Sequence, residues 1–251
     1  MTPTRVRAPA PCPLGRSARH CGTKDASRLR SVAIHTRRVF TSSTVHGVGS
    51  FAYLDEADAE PTLARPGFYL ITAAVAESAH VEQCEALLRG LLREEDTDPK
   101  GHRRLHLSRI KDRHRKNELA AILGSVRGTR FVVAWLSGYT DPKARERVRG
   151  RILWDLLPHL ATKEQAATIL IERREGEKLQ AADARTIGRL CERAALPLGV
   201  TVRQAAASTA PGLWLADAAA AAWRRSLVEG KQNWSSWYAP HTTLIEVRHG
   251  S

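Results

Sequence analysis

Four acids stand in apolar company. Asp55 follows the run Phe51-Ala52-Tyr53-Leu54, Glu172 closes "ATILIE", Asp183 precedes Ile187 by one helical turn, and Asp217 is the only charged residue in "GLWLADAAAAAW". A carboxylate taken out of water without a partner costs several kcal/mol or takes up a proton. Several gathered at one point become tolerable when a divalent cation neutralises them, and Mg2+ and Mn2+ favour such oxygen donors. Each acid also has a local explanation. Asp183 suits a helix N-terminus, Asp217 an N-cap of the helix that follows, Glu172 a pair with Arg173 or Arg174, and Asp55 a turn. Taken together, with two of them at strand ends, a shared metal site is the better account.

A second chemistry-bearing stretch is "KGHRRLHLSRIKDRHRK". Arg103, Arg104, Arg109, Arg113 and Lys116 make it the best candidate for phosphate-backbone contact, though a charge run also makes a solvated face. His102 and His106 are four apart, but no Glu follows the first, so the zinc-protease pattern is missing. Arg145, Arg147, Arg149 and Arg151 alternate along a helix and read as surface charge. Trp214, Trp223, Trp234 and Trp237 suit a core and lid better than base stacking. No phosphate-binding loop, dinucleotide fingerprint or G-x-S-x-G elbow occurs.

The elements that must position these residues follow from periodicity. "SFAYLDEA" predicts a short strand over 51–54 ending at Asp55, and "GFYLITAAVAE" a strand buried on both faces. "ESAHVEQCEALLRGLLREE" predicts a helix with Ser78 as cap and Val81, Cys84, Leu87, Leu88 and Leu91 inward. A second helix carries Leu119, Ile122 and Leu123. Then come the strand "RFVVAWL", a helix capped by Asp141 with Pro142 in its first turn, and the strand "ATILIERRE". The helix "AADARTIGRLCERAAL", the strand "VTVRQAAAS", a helix from the alanine run to Gly230 and a last short strand "TTLIEVR" complete the chain. The order β-β-α-α-β-α-β-α-β-α predicts an α/β fold, a mixed sheet with helices on both faces.

Charge divides the chain unevenly. The formal net charge is +13, and residues 1–48 hold nine Arg or Lys against one acid. Residues 1–49 lack periodicity and predict a disordered basic N-terminal tail, with 50–251 as a single domain. A solvated tail or over-extended start, a nucleic-acid-tethering arm and an organelle transit peptide all fit that composition. No apolar run approaches the ~20 residues that span a bilayer, and no secretory-signal pattern opens the chain, so no membrane association is expected. Cys84 and Cys191 lie in helical patterns and no C-x-x-C pair occurs. Buried free thiols in a reducing, cytoplasmic compartment are the expectation.

The opening strand and the alanine run also resemble a known family. Leu54-Asp55-Glu56-Ala57-Asp58, the strand "FYLITAAV" and Ala216-Asp217 are similar to the motifs of the domain of unknown function 3800 group, within the ribonuclease-H-like superfamily. The resemblance runs from about Ser50 to Gly230. Ala57 and Asp58 stand where the family usually has Ser and Gly. It implies a ribonuclease-H-like domain whose Asp55, Glu172 and Asp217 bind Mg2+ or Mn2+ for phosphodiester cleavage, with Asp183 or Glu56 as an auxiliary acid. His106 or Lys111 would contact phosphate or assist proton transfer, and RNA or DNA would be the partner. A non-catalytic nucleic-acid- or protein-binding module of the same fold is the alternative, and a different metal-dependent hydrolase a third.

Overall fold

Alternation along the first strand decides which acid faces which helix. The computed structural model describes residues 49–97 and 101–248; the basic segment 1–48 lies outside them. Strands β1 (Ser50–Ala59), β2 (Gly67–Glu77) and β3 (Thr129–Tyr139) form an antiparallel meander. β4 (Ala166–Glu172) runs parallel to β1, β5 (Thr201–Ala205) parallel to β4, and β6 (Thr242–Glu246) parallel to β3. The result is a six-stranded mixed sheet of order β5-β4-β1-β2-β3-β6.

Helices cover both faces. One face carries α1 (Val81–Gly90), α2 (Arg113–Gly124), α5 (Gly212–Glu229) and the short α6 (Ser235–Tyr238). They pack on Tyr53, Ala74, Ala76, Phe131 and Leu170. The other face carries α3 (Arg145–Thr162) and α4 (Glu177–Glu192), packed on Ala52, Leu54, Ile71, Val132, Ile169 and Ile171. Residue parity follows the period of two: odd positions of β1 point to α5, even ones to α3. β2 is buried along its length except for Glu77, as its unbroken apolar run requires.

Several local expectations need correction. β1 does not end at Asp55; it continues to Ala59, because β2 pairs with it as far as Ala59↔Phe68. Ser78 does not cap a helix: its hydroxyl donates to the Gly49 carbonyl, and a single 3-10 turn, Ser78–His80, precedes α1. Asp217 is no N-cap, since α5 begins five residues earlier at Gly212. Asp183 is not at a helix head either; α4 begins at Glu177. Cys84 is buried but Cys191 is exposed, because α4 turns the adjacent Leu190 inward instead. Asp141 accepts from the Lys143 backbone N–H with Pro142 at the first position, but what it caps is a 3-10 turn, Pro142–Ala144, that leads into α3.

Two glycines matter for α5. A Cβ on Gly212 would lie 2.5 Å from the Tyr53 ring, so the helix start is pressed onto β1. Gly230 closes the helix at φ 68°, a left-handed conformation that favours glycine. Between them Ala216, Ala218, Ala219, Ala220 and Ala222 are all buried. Small side chains let helix and sheet approach closely. Among the described residues no helix is long and apolar enough to cross a membrane.

Candidate functional site

β1 and β4 pair in parallel as far as Leu54↔Ile171, and the next residue on each strand is an acid: Asp55 and Glu172. Both share the parity of Tyr53 and Leu170, so both face α5. Asp217 lies on the second turn of α5. The carboxyl ends of parallel strands, where the chain order departs in two directions from β1, are the usual crevice of an open α/β sheet. Here that crevice is a cavity of about 220 Å³ lined by Asp55, Glu172, Asp217, His106, Arg104 and Trp214, among others.

Electrostatics tie the three acids together. The Asp55 carboxyl is pushed well above the usual aspartate range. Loss of hydration is the largest cause, followed by the charges of Glu172 and Asp217 and a hydrogen bond with Glu172; the more distant Arg149 opposes them. Two positively charged or polar partners come from the 101–112 segment. Arg104 Nη1 donates to Glu172 Oε1 at 3.2 Å. His106 Nδ1 lies 3.0 Å from Asp217 Oδ2, and the Leu107 backbone N–H approaches the same oxygen at 3.4 Å. His106 Nε2 lies 3.2 Å from the exposed Ser108 hydroxyl. With the proton on Nδ1, the ring donates to Asp217 and accepts from Ser108.

The donor set suits a hard divalent cation: carboxylate oxygens, one of them destabilised as an anion by its neighbours. Among the described residues no three His, Cys, Asp or Glu side chains are already drawn into one ion-sized shell. Glu172 and Asp217 are instead held by Arg104 and His106. A cation held by Glu172 would displace Arg104, while Asp217 would keep Oδ2 on His106 and offer Oδ1.

Asp183 lies elsewhere, on the opposite face around Arg149, which is 2% exposed; Glu56 shares that partner but also lines the carboxylate cavity and the groove beside it. Arg149 grips Asp183 with Nε to Oδ1 at 2.8 Å and Nη2 to Oδ2 at 2.9 Å, touches Glu56 through Nη1, and reaches the Tyr69 hydroxyl at 3.4 Å. Arg174 forks onto Glu146 at 2.7 and 2.6 Å and lies 3.5 Å from Glu56. Its guanidinium holds the Glu146 carboxyl below its ordinary value. Asp183 is thus a structural partner of Arg149, separated from the three clustered acids by the sheet.

The basic residues also separate. Arg104 is half-buried in the cavity, while Arg103, Arg113 and Lys111 are exposed and Lys116 half-buried. Arg104 and Arg109 line an open groove of about 740 Å³ that includes Asp55 and Glu172 and continues past Arg145, Arg173 and Arg174. Lys111 lines a neighbouring recess with Asp112 and Arg115. Arg115 is buried against Asp96 and Glu95 and is unavailable to a ligand.

Sequence reasoning missed Arg149, the centre of the opposite-face network, and three residues around the carboxylates. Arg149 shares the inward stripe of Val148, Ile152, Leu153 and Leu156, a signal present in the periodicity. Trp214 packs in the cavity wall with Nε1 donating to Ala207 at 2.8 Å. Thr72 pairs directly with Asp55 across β2, is fully buried, and its hydroxyl has no protein partner among the described residues. It is the one hydroxyl on the α5-facing side of β2, beside Phe68, Leu70, Ala74 and Ala76. Tyr238 is fully buried and its hydroxyl has no partner among the described residues; burial and the Asp217 charge push its phenol upward. No family model matches the chain, and no curated protein matches it.

Proposed function

We propose that the chain is a ribonuclease-H-like, divalent-metal-dependent phosphodiesterase acting on RNA or DNA, with Asp55, Glu172 and Asp217 as ligands to Mg2+ or Mn2+. The observation that carries this reading is the meeting of these three carboxylates in one cavity, with Asp55 held there at a cost in hydration and repulsion. Their placement on the first strand, the adjoining parallel strand and the last long helix is what the family resemblance implies. The arginine-lined groove that opens beside them suits a polyanion.

A bound ion supplies positive charge at the scissile phosphate and makes the attacking water more acidic. The chain's own residues do the rest. Arg109 and Arg173, both exposed in the groove, bind and align backbone phosphates. Arg104 neutralises Glu172 in the free protein and becomes available to a phosphate when Glu172 takes a cation. His106, oriented through Nδ1 by Asp217, presents Nε2 to the exposed Ser108 hydroxyl, where it can take or give a proton. Trp214 and Leu213 form the apolar wall that limits water.

A second reading has its own observation. Ser108, His106 and Asp217 form a hydroxyl–imidazole–carboxylate chain of the kind that activates a serine nucleophile. Under it, hydrolysis requires Ser108 and no cation.

The test is cleavage of labelled RNA, DNA and hybrid by purified full-length protein with Mg2+, Mn2+ or chelator. Metal-dependent cleavage, lowered roughly a thousandfold or more by Asp55→Asn and by Asp217→Asn, is expected. Equal cleavage by both variants sinks the metal assignment. Salt-dependent binding without any cleavage selects the non-catalytic module.

A further inference from the structure

On the face away from the carboxylates, α3 and α4 leave a trough of about 600 Å³ between them. Its floor is small: a Cβ at Gly150 would meet Thr186 Oγ1 at 3.6 Å. Its walls carry five arginines, Arg147 and Arg151 from α3 and Arg185, Arg189 and Arg193 from α4 and its end, with Trp154 beside them. Spacing of four puts Arg185, Arg189 and Arg193 in one row, and Arg147 and Arg151 in another, with a rise of about 6 Å per step. That step is on the scale of neighbouring phosphates along a nucleic-acid strand.

These arginines are not consumed by pairing. Arg147 and Arg151 meet Asp141 and Asp155 at 3.6 and 3.4 Å in exposed contacts of little energetic weight. Arg193 lies over the Trp154 ring at 5.2 Å. Arg185 and Arg189 are exposed and meet no carboxylate among the described residues. The one acid in the lining, Glu146, is already held by Arg174. A row of unneutralised guanidiniums costs self-repulsion, which a bound polyanion removes. Guanidinium forks match phosphate oxygens in pairs, and no lysine takes part.

The trough also has a direction. The groove beside Asp55 ends at Arg145, Arg174 and Gln180, and the trough begins at Glu146, Arg147 and Ala182. The two are consecutive along the first turns of α3 and α4. We infer that the α3–α4 trough is a second nucleic-acid-binding surface, taking the sugar-phosphate backbone of a strand that continues past the carboxylate cavity. The inference borrows from the proposed function only that course of the strand; the trough binds whether or not the carboxylates cut.

The experiment measures anisotropy of labelled single-stranded RNA and duplex DNA, long enough to cover both grooves, with the full chain in chelator across a salt series. Arg185→Gln/Arg189→Gln is compared with a charge-matched control, Arg65→Gln/Arg89→Gln, at exposed positions outside the trough. The trough variant is expected to bind about tenfold more weakly and to lose roughly 1.4 to 1.8 from the slope of log K against log salt, while the control keeps the wild-type slope. The inference is overturned if both doubles change slope alike, if neither does, or if polyglutamate is bound in place of either nucleic acid. Because chelator silences cleavage, loss of nuclease activity and loss of trough binding are read separately.

Discussion

Asp55 and Glu56 are neighbours in the chain and opposites in their surroundings. Asp55 faces α5 and meets two more acids; its nearest full counter-charges belong to other residues or lie across the sheet. Glu56 faces α3 and meets Arg149 and Arg174, which also hold Asp183 and Glu146. One side of the sheet carries acids in excess. The other carries acids and guanidiniums in near balance, with two bidentate grips, Arg149 on Asp183 in the interior and Arg174 on the half-buried Glu146. A balanced buried network is a fold element, since breaking it strands a charge. An unbalanced one stores repulsion that a cation can relieve, so an acid's partners say more about its role than its burial does.

The largest expected effect that sharpens this contrast is on the balanced side. Arg149→Ala takes the bidentate partner from the buried Asp183, leaving it only Arg174 at 3.9 Å, and is expected to cost about 3–5 kcal/mol in urea or guanidinium unfolding. A smaller loss would mean that water reaches this acid.

Next comes the unbalanced side, where the sign reverses. Asp55 has a raised pKa in the folded state. Well below the unfolded value of about 3.9, folded and unfolded chains both keep its proton. As pH rises further, the unfolded chain ionises first, so stability falls until pH passes the folded value. Asp55→Asn should remove this fall: the difference between variant and wild-type unfolding free energies grows from pH 4 toward neutrality. Mg2+ or Mn2+ should recover part of it in the wild type only. A flat difference across pH would show that Asp55 does not carry the repulsion described.

The smallest expected effect concerns Ser108. Its contact with His106 is local and exposed, and under metal-dependent chemistry Ser108→Ala should change cleavage by no more than about twofold. A loss comparable to that of Asp217→Asn would transfer the chemistry to the serine chain.

Much of the frame was legible before folding was considered. β2 announces itself by an unbroken apolar run, α3 by its Asp141-Pro142 start, and the alternation of strands and helices by their periods. Asp55, Glu172 and Asp217 are legible as acids in apolar surroundings. Their convergence is not, because it depends on which face each strand presents and on α5 crossing the sheet there. Asp183 looks like the others in sequence and differs only through Arg149, a residue whose alternating arginine neighbours disguise an inward stripe. The boundary errors share one cause. β1 runs past Asp55 because β2 continues to pair with it, and Asp217 sits inside α5 because Gly212 docks on Tyr53, neither of which a local window contains.

The cavity's parts are also far apart in time. His106 and Asp217 are 111 positions apart and Arg104 and Glu172 are 68 apart, so the cluster is built wholly from long-range contacts. Such contacts close late, after the entropy of long loops has been overcome. On an emerging chain the acids stay dispersed and solvated, and no dense negative site exists until α5 has been synthesised and seated. A polypeptide interrupted before residue 212 can hold Asp55 and Glu172 but has no third carboxylate to complete an ion site. Under the proposed function, competence to bind a cation would thereby report completion of the domain.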